Sequence, residues 1–235
     1  MEDNISAFPP KATQPLREQI FGEINGYTFE VCNSEESKQT AYELRYRSYL
    51  KEYPGLSSED ELIQDEYDDR PNVRTHLIWN DGMPVATVRG CIWSDEYDWE
   101  MPESVTYFKR ELVNSIGQVR LLESNRYAVA PEFQGRQSLF AQLLCFRIHA
   151  LNSALHKCTH IITSVVESHA PFYKRFLDLD VFCKDTKNIE WLKADVVLLM
   201  ANRDQSMTTA LKRGMPDFTL EDQIKYAKAA KFHNQ

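Results

Sequence analysis

Two residues of opposite charge, Glu123 and Arg126, stand in "RLLESNRYAVAPEFQGR" (120–136), a run that otherwise reads as a buried strand ending at a proline. Side chains alternate along a strand, so residues three apart belong on opposite faces. A buried strand has little reason to carry both. Such a pair is either a structural ion pair or part of a site that needs a carboxylate and a guanidinium together. Sulfur chemistry is a poorer candidate. The five cysteines, Cys32, Cys91, Cys145, Cys158 and Cys183, are scattered and show no C-x-x-C spacing, which fits reduced thiols better than a disulfide frame or a zinc site. Cys91 lies two residues beyond Arg89, but no histidine is near it in sequence, and it reads as a small apolar residue. No metal site is expected.

The elements that would hold the pair can be followed along the chain. "NGYTFEVC" (25–32) predicts a first strand, and Asn33 with Glu36 predicts a capping box for a helix through "ESKQTAYELRYRSYLKEY", stopped at Pro54-Gly55. The acidic loop "SSEDELIQDEYDDRPN" (57–72) is long for a compact domain and reads as a binding loop, a lid or a solvated connection. "RTHLIWN" and "PVATVRGCIW" flank "DGM" as a hairpin, and a variable stretch with "EMPESVTYFKRELVN" leads to the strand "GQVRLLESNRYAV". Helical spacing then marks "SLFAQLLCFRIHALNSAL" (138–155). A buried-type strand "THIITSVV", a short helix "HAPFYKRFLDL", a late strand "ADVVLLMA" and a surface helix "FTLEDQIKYAKAAKF" follow. The fold class is mixed α/β around one central sheet. The expected organisation is a flexible polar arm over 1–24, a domain over 25–203 and a helical extension over 204–235.

Composition agrees with one domain. The chain has 235 residues, 43% of them hydrophobic, enough for a single sizeable core. Its longest apolar run, "VVLLMA" (196–201), is far below the roughly 20 residues of a membrane span. The start lacks the basic-then-apolar pattern of a secretory signal, so a cytoplasmic protein is expected. The net charge of -8 disfavours nucleic acid and anionic membrane as partners, whereas residues 131–175 carry 5 Lys and Arg against 2 Asp and Glu. That basic island suits a small anionic group or an acidic protein patch.

The strand running into "VAPEFQGRQSLFAQLL" resembles the central motif of the GNAT acyltransferase superfamily, and "HAPFYKRFLDLDVF" resembles its late helix-to-strand segment. The likeness is closer to the branch of the N-acyl amino acid synthases and N-acyl-homoserine lactone synthases. That branch shows a helix arginine, an Asp-x-x-Asp loop, a hairpin arginine and a Glu-x-x-Arg strand; here they are Arg45, Asp65 with Asp68, Arg89, and Glu123 with Arg126, in the same order. The resemblance spans about residues 28–201. It implies a mixed, mainly antiparallel sheet with a bulged, splayed central strand. One extra residue there would reset the alternation and let Glu123 and Arg126 project to the same side.

The resemblance also implies an acyl-phosphopantetheine thioester as donor, from acyl carrier protein or coenzyme A, with no permanently bound cofactor. The expected donor-binding residues are Val129, Gln134, Gly135, Arg136, Gln137 and Ser138. Coenzyme A-binding relatives usually carry Q/R-x-x-G-x-G/A, and here Gln137 and Leu139 replace small residues. Acyl carrier protein, docking on Arg136, Lys174 and Arg175, therefore fits better. The implied reaction joins a fatty acyl group to an amino acid α-amine, with Glu123 as base, Arg126 holding Glu123 ionised or binding the acceptor carboxylate, and Arg45, Asp65, Asp68 and Arg89 closing the acidic loop. A homoserine lactone synthase using S-adenosylmethionine, a coenzyme A-dependent N-acetyltransferase, and a non-catalytic carrier-binding module stay open.

Overall fold

In α1 (Glu35–Glu52) the buried residues Ser37, Ala41, Leu44, Arg45 and Ser48 recur at helical spacing, so an arginine occupies the stripe that faces the sheet. The structure, a computed structural model, describes residues 19–56, 58–94, 101–115, 120–135, 138–189 and 192–231. Its strands are β1 (Ile20–Ile24), β2 (Tyr27–Val31), β3 (Val73–Asn80), β4 (Met83–Ser94), β5 (Arg120–Val129), β6 (His160–Val166), β7 (Asp180–Ile189) and β8 (Ala194–Asn202). The further helices are α2 (Glu103–Ser115), α3 (Ser138–Leu155), α4 (Ala170–Leu177), α5 (Arg203–Lys212) and α6 (Leu220–Ala230). All eight strands form one sheet, ordered β1-β2-β3-β4-β5-β6-β8-β7. Every pairing is antiparallel except β5 with β6.

The β3–β4 hairpin turns through Asp81 and Gly82, both at positive φ, with Asn80 opposite Met83. This is the two-residue turn whose twist matches that of the strands. Alternation then sorts the faces. Thr75, Leu77 and Trp79 look toward α1, whereas His76 and Ile78 look toward α3 and α6. Gly90 has no side chain because α3 passes close by: a Cβ there would stand 2.8 Å from Asn152 Nδ2 and 3.3 Å from His149 Nδ1.

The strand β5 departs from regularity twice. Against β4, Thr87 pairs with Ala128 and Arg89 with Asn125, so β5 has one residue too many; Arg126, at φ 49°, lies within that bulge. Against β6, pairing is found at Leu121–His160, Leu122–Ile161 and Glu123–Ile162, after which the two strands part. The sheet splits at Glu123, giving the bulged, splayed centre expected.

Several boundaries differ from expectation. β1 lies within the segment read as a flexible arm, because Phe21 packs on Phe29 and Tyr226. The residues after 203 are helical, but they are no appendage: Tyr226, Ala229 and Ala230 of α6 belong to the main core. The cap of α1 is Ser34 with Ser37, not Asn33 with Glu36; the Asn33 side chain instead donates to Ala229 O at 2.8 Å. The stretch after β4 contains α2, and α5 follows β8 directly. Among the described residues no helix is long and apolar enough to cross a membrane.

Candidate active site

Arg45, fully buried on α1, reaches the acidic loop. Its Nη1 donates to both Asp68 oxygens at 3.0 Å and its Nη2 to Thr75 Oγ1 at 2.9 Å. Arg89, fully buried on β4, contacts Asp65 and lies 3.2 Å from Asp68. Within the loop, Asp65 N donates to Asp68 Oδ2 at 3.1 Å. Arg126 Nε donates to Asp65 Oδ2 at 3.0 Å. Two aspartates thus tie α1, β4 and β5 into one lattice, and the loop is pinned to the sheet. Burial works to raise both carboxyls, but Arg126 and Arg89 outweigh it at Asp65, and Arg45 and Arg89 do so at Asp68. Both stay below the ordinary carboxylate range.

Arg89 also reaches Glu123 through an intermediary. Its Nε donates to Asn125 Oδ1 at 2.8 Å, and Asn125 Nδ2 donates to Glu123 Oε1 at 2.7 Å. The other oxygen, Glu123 Oε2, accepts from the backbone N of Ser104 at 3.0 Å, in the first turn of α2. A carboxylate is favoured there by the exposed N–H groups and dipole of a helix start. Burial nevertheless dominates and Glu103 adds to it, so the Glu123 carboxyl is raised to about 7 against the opposing effects of Asn125, Arg89 and the Ser104 amide. A carboxylate poised near neutrality suits proton transfer at physiological pH.

Glu103, Ser104, Glu123, Asn125 and Arg126 border a cleft of about 650 Å³ at the split of the sheet. Its wall is ionic where Glu103, Glu123 and Arg126 meet, and apolar along Val166, Ile189, Leu192 and Val196. Val129, Gln134 and Ser138 line it as well, together with Phe172 and Tyr173 of α4. Gly135 takes the turn before α3 at φ 106°, and its carbonyl accepts from Ser138 Oγ at 2.6 Å. Arg136 and Gln137 lie outside the described residues. Lys174 is engaged by Asp178 at 2.6 Å and Asp180 at 2.8 Å. Among the described residues no cysteine lines the cleft, and burial drives the Cys91 thiol up, away from thiolate chemistry.

The structure brings together Arg45, Asp65, Asp68, Arg89, Glu123 and Arg126, and adds residues the sequence did not single out. Glu103 Oε2 lies 3.1 Å from Arg126 Nη2 and 3.7 Å from Arg89 Nη2. Ser104 holds Glu123 through its amide, while its hydroxyl is 2.6 Å from Ser164 Oγ on β6. The signal available was "MPES", a proline and an acidic residue at the start of a helix that the variable stretch concealed.

An open, largely antiparallel sheet that splits at a bulged strand, with an ionic cleft at the split, is the architecture of the GNAT-type acyltransferases. The family model described as N-acyl amino acid synthase FeeM matches residues 40–202; the chain belongs to that family and is an N-acyltransferase. Among solved structures it is similar to FeeM, an N-acyl amino acid synthase from uncultured soil microbes, at 13% identity and TM-score 0.63, covering 81% of this chain and 98% of that one. It is similar to the AHL synthase LasI at 17% identity and TM-score 0.57, covering 82% and 98%. BjaI, a CoA-dependent acyl-homoserine lactone synthase solved with SAM and isopentyl-CoA, matches at 13% identity and TM-score 0.52, covering 80% and 90%. No curated protein matches the chain by sequence.

Proposed function

We propose that the protein joins a fatty acyl group, delivered as a phosphopantetheine thioester by acyl carrier protein, to the α-amine of an amino acid. The observation that carries this reading is a buried carboxylate, Glu123, raised to about 7 at the floor of a cleft that also has an apolar wall. An amino acid arrives as R–NH3⁺ and is inert until it loses a proton. Glu123 accepts that proton, and the amine lone pair forms the C–N bond to the thioester carbonyl. The C–S bond breaks as the tetrahedral intermediate collapses, the thiolate takes the second amine proton, and Glu123 returns its own to solvent. Backbone N–H groups of β5 beyond the split, freed from β6, can donate to the carbonyl oxygen as it turns anionic. The apolar stretch at Ile189, Leu192 and Val196 suits an alkyl chain.

For the donor, Gln137 and Leu139 replace small residues in the loop that would close round a pyrophosphate, which favours acyl carrier protein. The engagement of Lys174 by Asp178 and Asp180 removes one cation from a docking patch and keeps acyl-coenzyme A as a second reading. Matched acyl-carrier-protein and acyl-coenzyme A donors, assayed with a mixture of amino acids by mass spectrometry, decide between them. The expected result is an N-acyl amino acid formed faster from acyl carrier protein. That advantage should shrink as ionic strength rises beyond the point where the screening length falls under about 8 Å. A preference for coenzyme A indifferent to salt overturns the donor, and absence of N-acyl product from either donor overturns the reaction.

A further inference from the structure

The inner cleft is short of positive charge. Of the charged residues that line it, Lys51, Glu52 and His169 are exposed, with Glu52 paired to His169, whereas Glu103 and Glu123 are buried beside Arg126, which is shared with Asp65 as well as Glu103. Arg45 and Arg89 are fully buried behind them and occupied by Asp65 and Asp68. Three guanidiniums therefore face four carboxylates. The two buried carboxylates on the cleft wall are brought together by one short piece of backbone: Glu103 opens α2, and the next amide, Ser104 N, binds Glu123 Oε2 at 3.0 Å. Glu103 is mostly buried, so its remaining charge is poorly compensated by water.

We propose that Glu103 is a specificity-determining residue that, together with Glu123, forms the seat for the ammonium group of the acceptor. This rests on the reading of the protein as an amine acylating enzyme. Before reaction the ammonium supplies the missing cation between the two carboxylates. Glu103 keeps its partners Arg126 and Arg89, while Glu123, held by the Asn125 side chain and the Ser104 amide, takes the proton. The neighbouring Glu103 charge is also among the causes that hold the Glu123 carboxyl up, so one residue both binds the amine and keeps the base strong enough to deprotonate it. The seat selects a protonated amine over an alcohol or thiol of the same shape, since only the cation completes the charge balance.

The test uses the full chain with Glu103→Gln and Glu103→Asp. Calorimetric titration of wild type with each of the twenty amino acids finds the acceptors that bind. In Glu103→Gln their affinity should fall tenfold or more, Glu103→Asp should recover part of it, and affinity for an acyl-coenzyme A probe should be unchanged. With turnover, KM for the acceptor rises in Glu103→Gln while KM for the donor does not. The acid limb of the acceptor kcat/KM profile moves to lower pH, which loss of fold alone would not produce. Unchanged acceptor affinity in Glu103→Gln, equal loss of donor and acceptor affinity, or failure of every amino acid to bind wild type overturns the seat. If amines bind through Glu103 but no thioester yields an N-acyl product, the seat stands and the transfer reading fails. If Glu103→Gln makes product at an unaltered acceptor KM, the transfer reading stands and the seat fails.

Discussion

Replacing Glu123 by glutamine should lower kcat by about 10² to 10⁴, the span for losing a positioned acid or base. The side chain keeps its size, and the oxygen that accepts from Ser104 N can be kept as an amide oxygen. The wild-type rate should climb as pH rises through about 7, where Glu123 ionises, and the residual rate of the variant should lack that limb. Stability offers an independent readout. The folded carboxyl lies above its ordinary value of 4.5, so folding favours the protonated form. Its contribution to stability is complete below the unfolded value and is lost as pH rises through about 7. The neutral variant should therefore gain in Tm relative to wild type as pH goes from about 5 to about 8. Full activity in Glu123→Gln, or a Tm difference that does not change with pH, would remove Glu123 from the mechanism.

The second large effect is expected at Arg89→Ala. Arg89 is the hinge of the lattice: it contacts Asp65 and Asp68 directly and Glu123 through Asn125. Its loss leaves buried carboxylates short of a partner, for which the cost is about 3 to 5 kcal/mol. In a domain of this size that lowers Tm by roughly 2 to 4 °C per kcal/mol. Both aspartates are depressed below 3.8, so their stabilising contribution is present above that value and is lost as pH falls through the folded values. The wild type should lose stability on this acid limb, and the variant should lose much less. Limited proteolysis within residues 58–72 should accelerate in parallel, since the loop is held by the same ions. Arg89→Lys should not rescue, because a single ammonium cannot replace donors that point to Asp65 and Asn125 at once. A variant that melts with wild type and resists protease would contradict the role assigned to the lattice.

How much of this was legible in the sequence depends on the kind of signal each residue leaves. Strands β3, β4, β6 and β8 and helices α1 and α3 show themselves because alternation and helical spacing are local properties. Strand β1 does not: "IFGEI" is too short to announce itself, and what makes it a strand is Phe21 meeting α6, some 200 residues away in the chain. Strand β7 carries "CKDTKN", polar residues that suit a sheet edge and disguise a strand. The six charged site residues were visible only as an ordered set shared with a family. Periodicity alone places Glu123 and Arg126 on opposite faces; the bulge that reunites them is a tertiary feature. Glu103 escaped because its importance lies in meeting Arg126 and in the amide that follows it, neither of which is written in local composition.

The parting of β5 from β6 has a dynamic consequence as well. Three paired positions join the two strands, so among the described residues the amides of β5 beyond Glu123 that face the slot have no sheet partner across it. Their hydrogens should exchange with deuterated water far faster than those of the β3–β4 hairpin, whose ladder is closed on both sides. Under the proposed function, an extended pantetheine arm, which carries amides of its own, would fill the slot as a further strand. Addition of the donor should then slow the exchange of residues 124–129, whether or not a bond is ever made.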